Sequence, residues 1–114
     1  MQNEIKNLVN AIVDDYRLWT LGTEYGKKDY DRAVERVKEF ANGISVKEGS
    51  KYTKILKDNG GSVWGFVVAV DTDKKFRKGD ILMPAGYASP ARNAARGNIL
   101  DNDFDINWTG PKYL

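Results

Sequence analysis

The sequence predicts an α+β protein in which an N-terminal helical hairpin packs against a small C-terminal antiparallel β-sheet. Apolar residues recur every three or four positions in the first third of the chain and every second position after Ile44. A chain of 114 residues is long enough for one modest hydrophobic core. We therefore expect a single domain over residues 1–114, with the helical hairpin at about 2–42 and the sheet at about 44–110.

The first predicted helix has one apolar face and one polar face. Its apolar residues are Ile5, Leu8, Val9, Ile12, Val13, Tyr16 and Trp19. Gly22 and Gly26 interrupt this pattern, and Asp29 is a suitable N-cap for a second helix that ends at Asn42-Gly43. The apolar face of the second helix comprises Tyr30, Ala33, Val34, Val37 and Ala41. A sheet this small covers only part of two such helices, so we expect a homo-oligomer.

The predicted strands are separated by turn residues. The runs 52–57 and 62–70 flank Asp-Asn-Gly-Gly at 58–61, which is typical of a hairpin turn. The second run is apolar on both faces and should be the central strand. A short strand at 81–83 ends at Pro84. The last strands are predicted at 98–100 and 106–108, with residues 101–105 turning between them.

The segment 89–98 predicts a short helix that binds an anion. Ser89 is a preferred N-cap, Pro90 suits the first helical position, and Gly97 suits the residue that closes a helix. Arg92 and Arg96 are four residues apart, which places both guanidinium groups on one helix face. Free N–H groups at a helix start and two arginine forks suit a phosphate or a pyrophosphate. The alternative is a solvated surface helix whose arginines pair with nearby aspartates: Asp101, Asp103 or Asp105.

Three aromatic residues are candidates for stacking on a nucleobase. Trp64 and Phe66 are predicted to share one face of the central strand, with Trp64 near its hairpin end. For these two residues the alternative is a place in the hydrophobic core. Tyr87 lies in a loop with Gly and Pro, just before the arginine pair, where no core residue is required.

The composition argues against several kinds of chemistry. Eighteen basic and 16 acidic residues give a net charge of +2, so there is no global attraction to nucleic acid. The chain has neither cysteine nor histidine, and therefore lacks thiolates, disulfides, most zinc sites and the usual neutral-pH proton shuttle. The alternating Asp101, Asp103 and Asp105 begin like a calcium loop, but Ile106 and Lys112 replace its glycine and glutamate. We predict no catalytic residue, no metal and no cofactor.

The sequence predicts a soluble intracellular protein. No apolar run approaches the roughly 20 residues of a membrane span. The polar start, residues 1–4, lacks the apolar core of a signal peptide.

Short motifs are distributed over about residues 16–111 in a characteristic order and spacing. They are Arg17-Leu18-Trp19-Thr20-Leu21-Gly22, Tyr25-Gly26, Asp29-Tyr30, Ser62-Val63-Trp64-Gly65-Phe66, Lys78-Gly79-Asp80-Ile81-Leu82, Pro90-Ala91-Arg92-Asn93, Ala95-Arg96-Gly97-Asn98 and Trp108-Thr109-Gly110-Pro111. Together these motifs resemble small phage proteins of the first anti-Thoeris class, which sequester immune signalling nucleotides.

The resemblance implies a binding protein and not an enzyme. Members of that family bind cyclic ADP-ribose isomers made by TIR-domain defence proteins, and some also hold cyclic di- or trinucleotides. They consist of an N-terminal helical pair and a C-terminal antiparallel sheet. They assemble as dimers or trimers of dimers, with the ligand at protomer junctions. The resemblance therefore implies an anti-defence role in the cytoplasm of an infected bacterial host, with no membrane and no stable nucleic-acid partner.

Carried over residue by residue, the resemblance assigns Arg92 and Arg96 to phosphate binding. It assigns Asn93 and Asn98 to hydrogen bonds with ribose or base. The remaining candidate contacts are Met83, Tyr87, Ala91, Trp64 and Phe66.

Two other classes of function remain open at this stage. One is a single-stranded nucleic-acid binder that uses Trp64, Tyr87 and the basic turn at 74–78. The other is a phage protein that inhibits a host enzyme by direct contact through its helical hairpin. A nucleotide hydrolase is disfavoured because the chain lacks histidine and cysteine.

Overall fold

Helix α1 covers one face of the sheet with the first part of its apolar stripe. The computed structural model describes residues 1–23 and 27–112, so the predicted break at Gly26 lies outside the described residues. Helix α1 spans Gln2–Gly22. Its buried apolar residues are Ile5, Leu8 and Ile12. Trp19, near the end of the stripe, is exposed.

Helix α2 spans Tyr30–Asn42 and has the predicted N-cap. The Asp29 carboxylate accepts a hydrogen bond from the backbone N–H of Arg32 at 3.2 Å, which satisfies one of the free donors at the helix start. The Tyr16 ring of α1 stacks on the Phe40 ring of α2, with centroids 4.1 Å apart. This aromatic contact joins the two helices.

Four antiparallel strands form the main sheet in the order β1-β2-β3-β4. They are β1 Ser45–Glu48, β2 Tyr52–Lys57, β3 Ser62–Val68 and β4 Ile81–Leu82. The run that is apolar on both faces is a central strand, as predicted. Between β2 and β3 the chain turns through Asp58–Gly60, where all three residues have positive φ. Asp, Asn and Gly tolerate this conformation better than other residues do.

Strand β3 carries a β-bulge at Trp64. Ile55 is paired with Gly65 and Leu56 with Val63, so Trp64 is one residue more than β2 can match. Such an extra residue interrupts the alternation of side chains between the two faces of a sheet.

The bulge sends Trp64 and Phe66 to opposite faces of the sheet. Trp64 belongs to the core cluster that contains α1, and its Nε1–H donates to the carbonyl of Asn107 at 2.9 Å. Phe66 belongs to a second cluster with Phe76 and Leu82. The prediction that the two rings share one face is wrong, because it assumed an uninterrupted period of two.

Two short hairpins complete the fold. Strand β5 (Gly97–Asn98) pairs with β6 (Asp103–Phe104), and β7 (Ile106–Asn107) pairs with β8 (Gly110–Pro111). The predicted C-terminal strands and the turn at 101–105 are therefore partly wrong. The side-chain oxygen of Asn98 accepts the N–H groups of Leu100 and Asp101, which ends the strand two residues early.

The C-terminal hairpins close against α1. The backbone N–H of Trp108 donates to the Asp15 carboxylate at 2.8 Å. The Trp108 ring meets the Tyr16 ring edge-on, with centroids 5.0 Å apart. Among the described residues, no helix is both long and apolar enough to cross a bilayer.

The segment 84–96 bends back on itself at 85–88 and contains no helix, so the predicted helix after Ser89 is wrong. Pro84 and Pro90 form an isolated antiparallel bridge. The N–H of Ala91 donates to Met83 at 2.7 Å, and the N–H of Arg96 donates to Ile81 at 2.8 Å. The segment therefore forms hydrogen bonds with the chain at β4 and just after it, and does not form the hydrogen bonds of a helix.

Candidate functional site

Arg92 is held in a fixed position on the sheet face that lies opposite α1. Its Nη1 donates to the Tyr52 hydroxyl at 2.6 Å, and its Nη2 donates to Asp73 Oδ1 at 2.9 Å. Its guanidinium carbon lies 5.0 Å from the centre of the Phe76 ring. An arginine has five N–H donors, so these two bonds leave donors for a ligand. The side chain is 38% exposed, which gives an anion access to a cation that is already oriented.

Asp73 fixes this arrangement electrostatically. Its carboxylate accepts hydrogen bonds from Arg92 and from the backbone N–H groups of Phe76 and Lys75. The Arg92 hydrogen bond, followed by those two backbone bonds, holds the pKa of Asp73 well below its usual range. The same contact raises the pKa of Arg92. Both groups are therefore charged at neutral pH.

Two adjoining cavities open beside Arg92, and we call them together the basic groove. The larger has a volume of about 520 Å³ and is lined by Lys51, Val70, Thr72, Asp73, Lys74 and Arg92. The smaller, of about 260 Å³, shares Lys51 with the first and extends along β1 and β2 to Tyr52, Lys54 and Phe66. Lys47 and Glu48 also line the smaller cavity, so five basic side chains stand against two carboxylates in the groove. This excess of positive charge suits an anionic ligand.

Tyr87 lies beside the basic groove, next to Lys54, and is not among the residues that line either cavity. Its hydroxyl donates to the carbonyl of Gly60 at 2.8 Å, which anchors the 84–90 loop. The ammonium of Lys54 lies 4.2 Å from the centre of its ring. The side chain is more than half exposed. An exposed ring beside a lysine suits the stacking of a base that carries phosphate.

Arg96 is separated from Arg92 and serves the fold. Its Nε donates to the carbonyl of Ala94, its Nη1 to that of Lys112, and its Nη2 to the side chain of Asn93. The two arginines share no hydrogen-bond partner, and each lines a different cavity. The prediction that both guanidinium groups lie on one helix face is therefore wrong, because the segment forms no helix.

Other sequence-derived candidates are placed away from the groove or within the core. Asn98 is buried: its amide nitrogen donates to Lys78 and Asp80, and its oxygen accepts two backbone N–H groups. Trp64 is buried on the α1 face. Phe66 is also buried but lines the floor of the smaller cavity. Asn98 and Trp64 are therefore buried and hydrogen-bonded within the chain, and neither lines the basic groove.

Met83 and Ala91 lie in the chain beside Arg92 and are joined by a backbone hydrogen bond. Both are partly exposed. Neither residue is among those that line the basic groove.

The sequence interpretation missed Lys51, Tyr52, Lys54 and Asp73. Tyr52 and Lys54 alternate along β2, so a second polar and aromatic face could have been recognised from the period of two. Asp73 precedes Lys75 and Phe76 at the spacing by which an aspartate accepts nearby N–H groups. Its contact with Arg92 spans 19 residues of sequence and has no local signal.

The groove lacks the groups of a metal centre. No cluster of three or more carboxylates that could hold a metal occurs among residues 1–23 and 27–112, and the chain has no histidine or cysteine.

No family model matches the chain, and no significant match is found among curated proteins or solved structures.

Proposed function

We propose that this protein is a phage anti-defence protein that binds cyclic nucleotide immune signals and sequesters them without cleavage. The ligands are cyclic ADP-ribose isomers and, by the same chemistry, cyclic di- or trinucleotides. The protein acts in the cytoplasm of the infected bacterial host. The observation that carries the proposal is the pre-oriented Arg92 fork, which stands in a basic groove with an exposed tyrosine, Tyr87, beside it.

The groove offers the two kinds of contact that a nucleotide needs. Arg92 and Lys51 supply charge-assisted hydrogen bonds for phosphate. Tyr87 supplies a flat ring for a base, with Lys54 beside it. A cyclic ligand loses little internal entropy on binding, so a nanomolar Kd, about −12 kcal/mol, is within the reach of such a site.

Sequestration requires no reaction, and the groove is poorly equipped for one. A general base works best when its pKa lies near the operating pH. The buried carboxylate of the groove, Asp73, has a pKa that is held low by Arg92, so it is a weak base. The bound nucleotide should therefore be released intact.

We further propose that the protein is a homodimer or a trimer of dimers. Leu18, Trp19 and Tyr30 are large apolar side chains that remain exposed on the helical pair. Exposed apolar surface of this kind supports an interface between copies of the chain.

The proposal is tested by calorimetry with a panel of cyclic ADP-ribose isomers, cyclic di-AMP and a cyclic trinucleotide. After binding, the protein is heated and the released fraction is analysed by chromatography. We expect at least one nucleotide to bind and to return unchanged, with or without magnesium. A product that accumulates with time would show an enzyme. Binding of a single-stranded oligonucleotide in preference to every cyclic ligand, with steep salt dependence, would favour the nucleic-acid alternative.

Arg92→Ala is the variant that tests the site. Loss of its charge-assisted bonds should weaken binding about tenfold to a hundredfold. Arg77→Ala is the matched control, because Arg77 is also exposed and pairs with Asp101 away from the groove. Equal affinity of the two variants would contradict the assignment of Arg92 to the ligand.

A further inference from the structure

One carboxylate oxygen in the basic groove, Asp73 Oδ2, accepts no hydrogen bond from the described residues. The Asp73 side chain is 1% exposed, and its Oδ1 accepts three hydrogen bonds, from Arg92, Lys75 and Phe76. Within the described ranges 1–23 and 27–112, no group donates a hydrogen bond to Oδ2. Buried polar atoms are nearly always hydrogen-bonded, so an oxygen left without a donor calls for a partner from outside the chain.

Lys51 covers this oxygen without forming a hydrogen bond to it. Its Nζ lies 3.6 Å from Asp73 Oδ2, which is beyond hydrogen-bond distance. The Lys51 side chain is 52% exposed, so its ammonium can turn toward a phosphate in the same cavity. That movement would uncover Oδ2 close to the phosphate position beside Arg92.

We infer that Asp73 Oδ2 accepts a hydrogen bond from a ribose hydroxyl of the bound nucleotide, and that the site thereby prefers ribonucleotides to deoxyribonucleotides. This inference rests on the proposed function. An ionised carboxylate is an acceptor only, so it suits a hydroxyl donor and repels phosphate. An acidic side chain close to a phosphate site is also the arrangement by which dinucleotide-binding folds hold ribose.

The expected preference for ribose follows from the hydrogen bond that a deoxyribose ligand cannot donate to Asp73 Oδ2. A ligand that displaces Lys51 but brings no hydroxyl leaves a buried charged oxygen without a donor. A site built around a hydrogen bond rejects the analogue that lacks it more strongly than an apolar site rejects a change of shape. We expect the ribose form to bind at least about tenfold more tightly.

The experiment compares ligand pairs by calorimetry. Cyclic ADP-ribose and cyclic di-AMP are each measured beside an analogue whose ribose hydroxyls are replaced by hydrogen. The protein is used as wild type, as Asp73→Asn and as Asp71→Asn. The first variant keeps an oxygen for the N–H groups of Lys75 and Phe76 but turns the Oδ2 acceptor into a donor. The second removes the same charge from an exposed position two residues away.

We expect the ribose preference in wild type and Asp71→Asn and a smaller preference in Asp73→Asn, because the amide can donate to a ribose hydroxyl but forms no charge-assisted bond with it. Equal weakening of both ligands in Asp73→Asn, with the preference retained, would show that Asp73 only positions Arg92 and would overturn the inference. Equal binding of both ligands by wild type would also overturn it while leaving the proposed function intact. Failure of every nucleotide to bind wild type would overturn both. If Asp73→Asn does not fold, the affinities of wild type for the ribose and deoxyribose ligands are sufficient to test the inference.

Discussion

The two faces of the main sheet are closed in different ways. On one face, α1 lies on Trp64, Val67 and their neighbours, and the contact is apolar and sealed from water. On the other face, no helix among residues 1–23 and 27–112 covers the strands, and loops bring charged and aromatic side chains over them. Lys54, Tyr87 and Arg92 remain partly exposed there.

Strand β3 therefore contributes to the hydrophobic core on one face and lies beneath the basic groove on the other. Because of the bulge in β3, the Trp64 side chain lies on the face covered by α1, which we call the sealed face. The Phe66 side chain lies on the opposite face, which we call the open face. Substitutions on the sealed face should therefore change the free energy of unfolding, and those on the open face should change ligand affinity. The predictions that follow test this separation, from the largest expected effect to the smallest.

Trp64→Ala should have the largest effect on stability. Removal of a buried tryptophan leaves a cavity and typically costs about 3–5 kcal/mol. Tyr87→Ala, which removes an exposed ring, should change the free energy of unfolding by no more than about 1 kcal/mol. Urea unfolding monitored by circular dichroism measures both.

Trp64→Phe keeps the comparison usable if the alanine variant does not fold. It retains most of the packing and loses the hydrogen bond to Asn107, which should cost about 1–3 kcal/mol. If Trp64→Phe and Tyr87→Ala lower the free energy of unfolding by similar amounts, the two faces of the sheet contribute equally to stability and the comparison is wrong.

Gly65→Ala should destabilise the sealed side of the sheet by about 1–3 kcal/mol. A Cβ atom at Gly65 would lie 2.9 Å from Pro111 Cγ and 3.1 Å from the Leu82 carbonyl oxygen. Gly86→Ala is the control on the open side, because a Cβ there meets nothing within 4 Å. Thermal unfolding compares the two, and an unchanged Tm in Gly65→Ala would show that β3 and β8 separate without cost.

Arg96→Ala should lower stability by about 1–2 kcal/mol and leave nucleotide affinity nearly unchanged. Its guanidinium joins the 93–96 segment to the Lys112 carbonyl, away from the basic groove. This expectation replaces the sequence-based assignment of Arg96 to phosphate. A loss of affinity as large as that of Arg92→Ala, with stability intact, would restore the original assignment.

The smallest predicted effect is a dependence of stability on acid pH. The pKa of Asp73 is lowered below its ordinary value of 3.8, chiefly by Arg92. The unfolded chain therefore takes up the proton first, and the stabilisation is complete above about pH 5 and is lost as the pH falls toward the lower folded pKa. The difference in Tm between wild type and Asp73→Asn should narrow from about pH 5 to about pH 2. A difference that stays constant over this range would contradict the assignment.

Local signals in the sequence were sufficient to predict the second helix and the central strand. The Asp29 cap, the helix end at Asn42 and the central position of β3 depend on neighbouring residues and on periodicity, and the structure confirms them. The bulge at Trp64 depends on how β2 pairs with β3, which no local pattern in β3 reveals.

The candidate site was harder to predict because long-range contacts build it. The composition of 89–97 favours a helix, but pairing with the edge of β4 and the bridge between Pro84 and Pro90 override that preference. Arg92 was identified from its chemistry alone. Its partners, Asp73 and Tyr52, come from distant segments, 19 and 40 residues away in sequence.

The hydrogen bond between Asp15 and Trp108 joins residues that are 93 positions apart, and this has a consequence during synthesis. Helix α1 is synthesised well before Trp108, which supplies both the N–H donor to the Asp15 carboxylate and the ring that meets the Tyr16 ring. The β2–β3 hairpin can form meanwhile from neighbouring residues. Helix α1 therefore cannot complete its contacts until Trp108 has been synthesised.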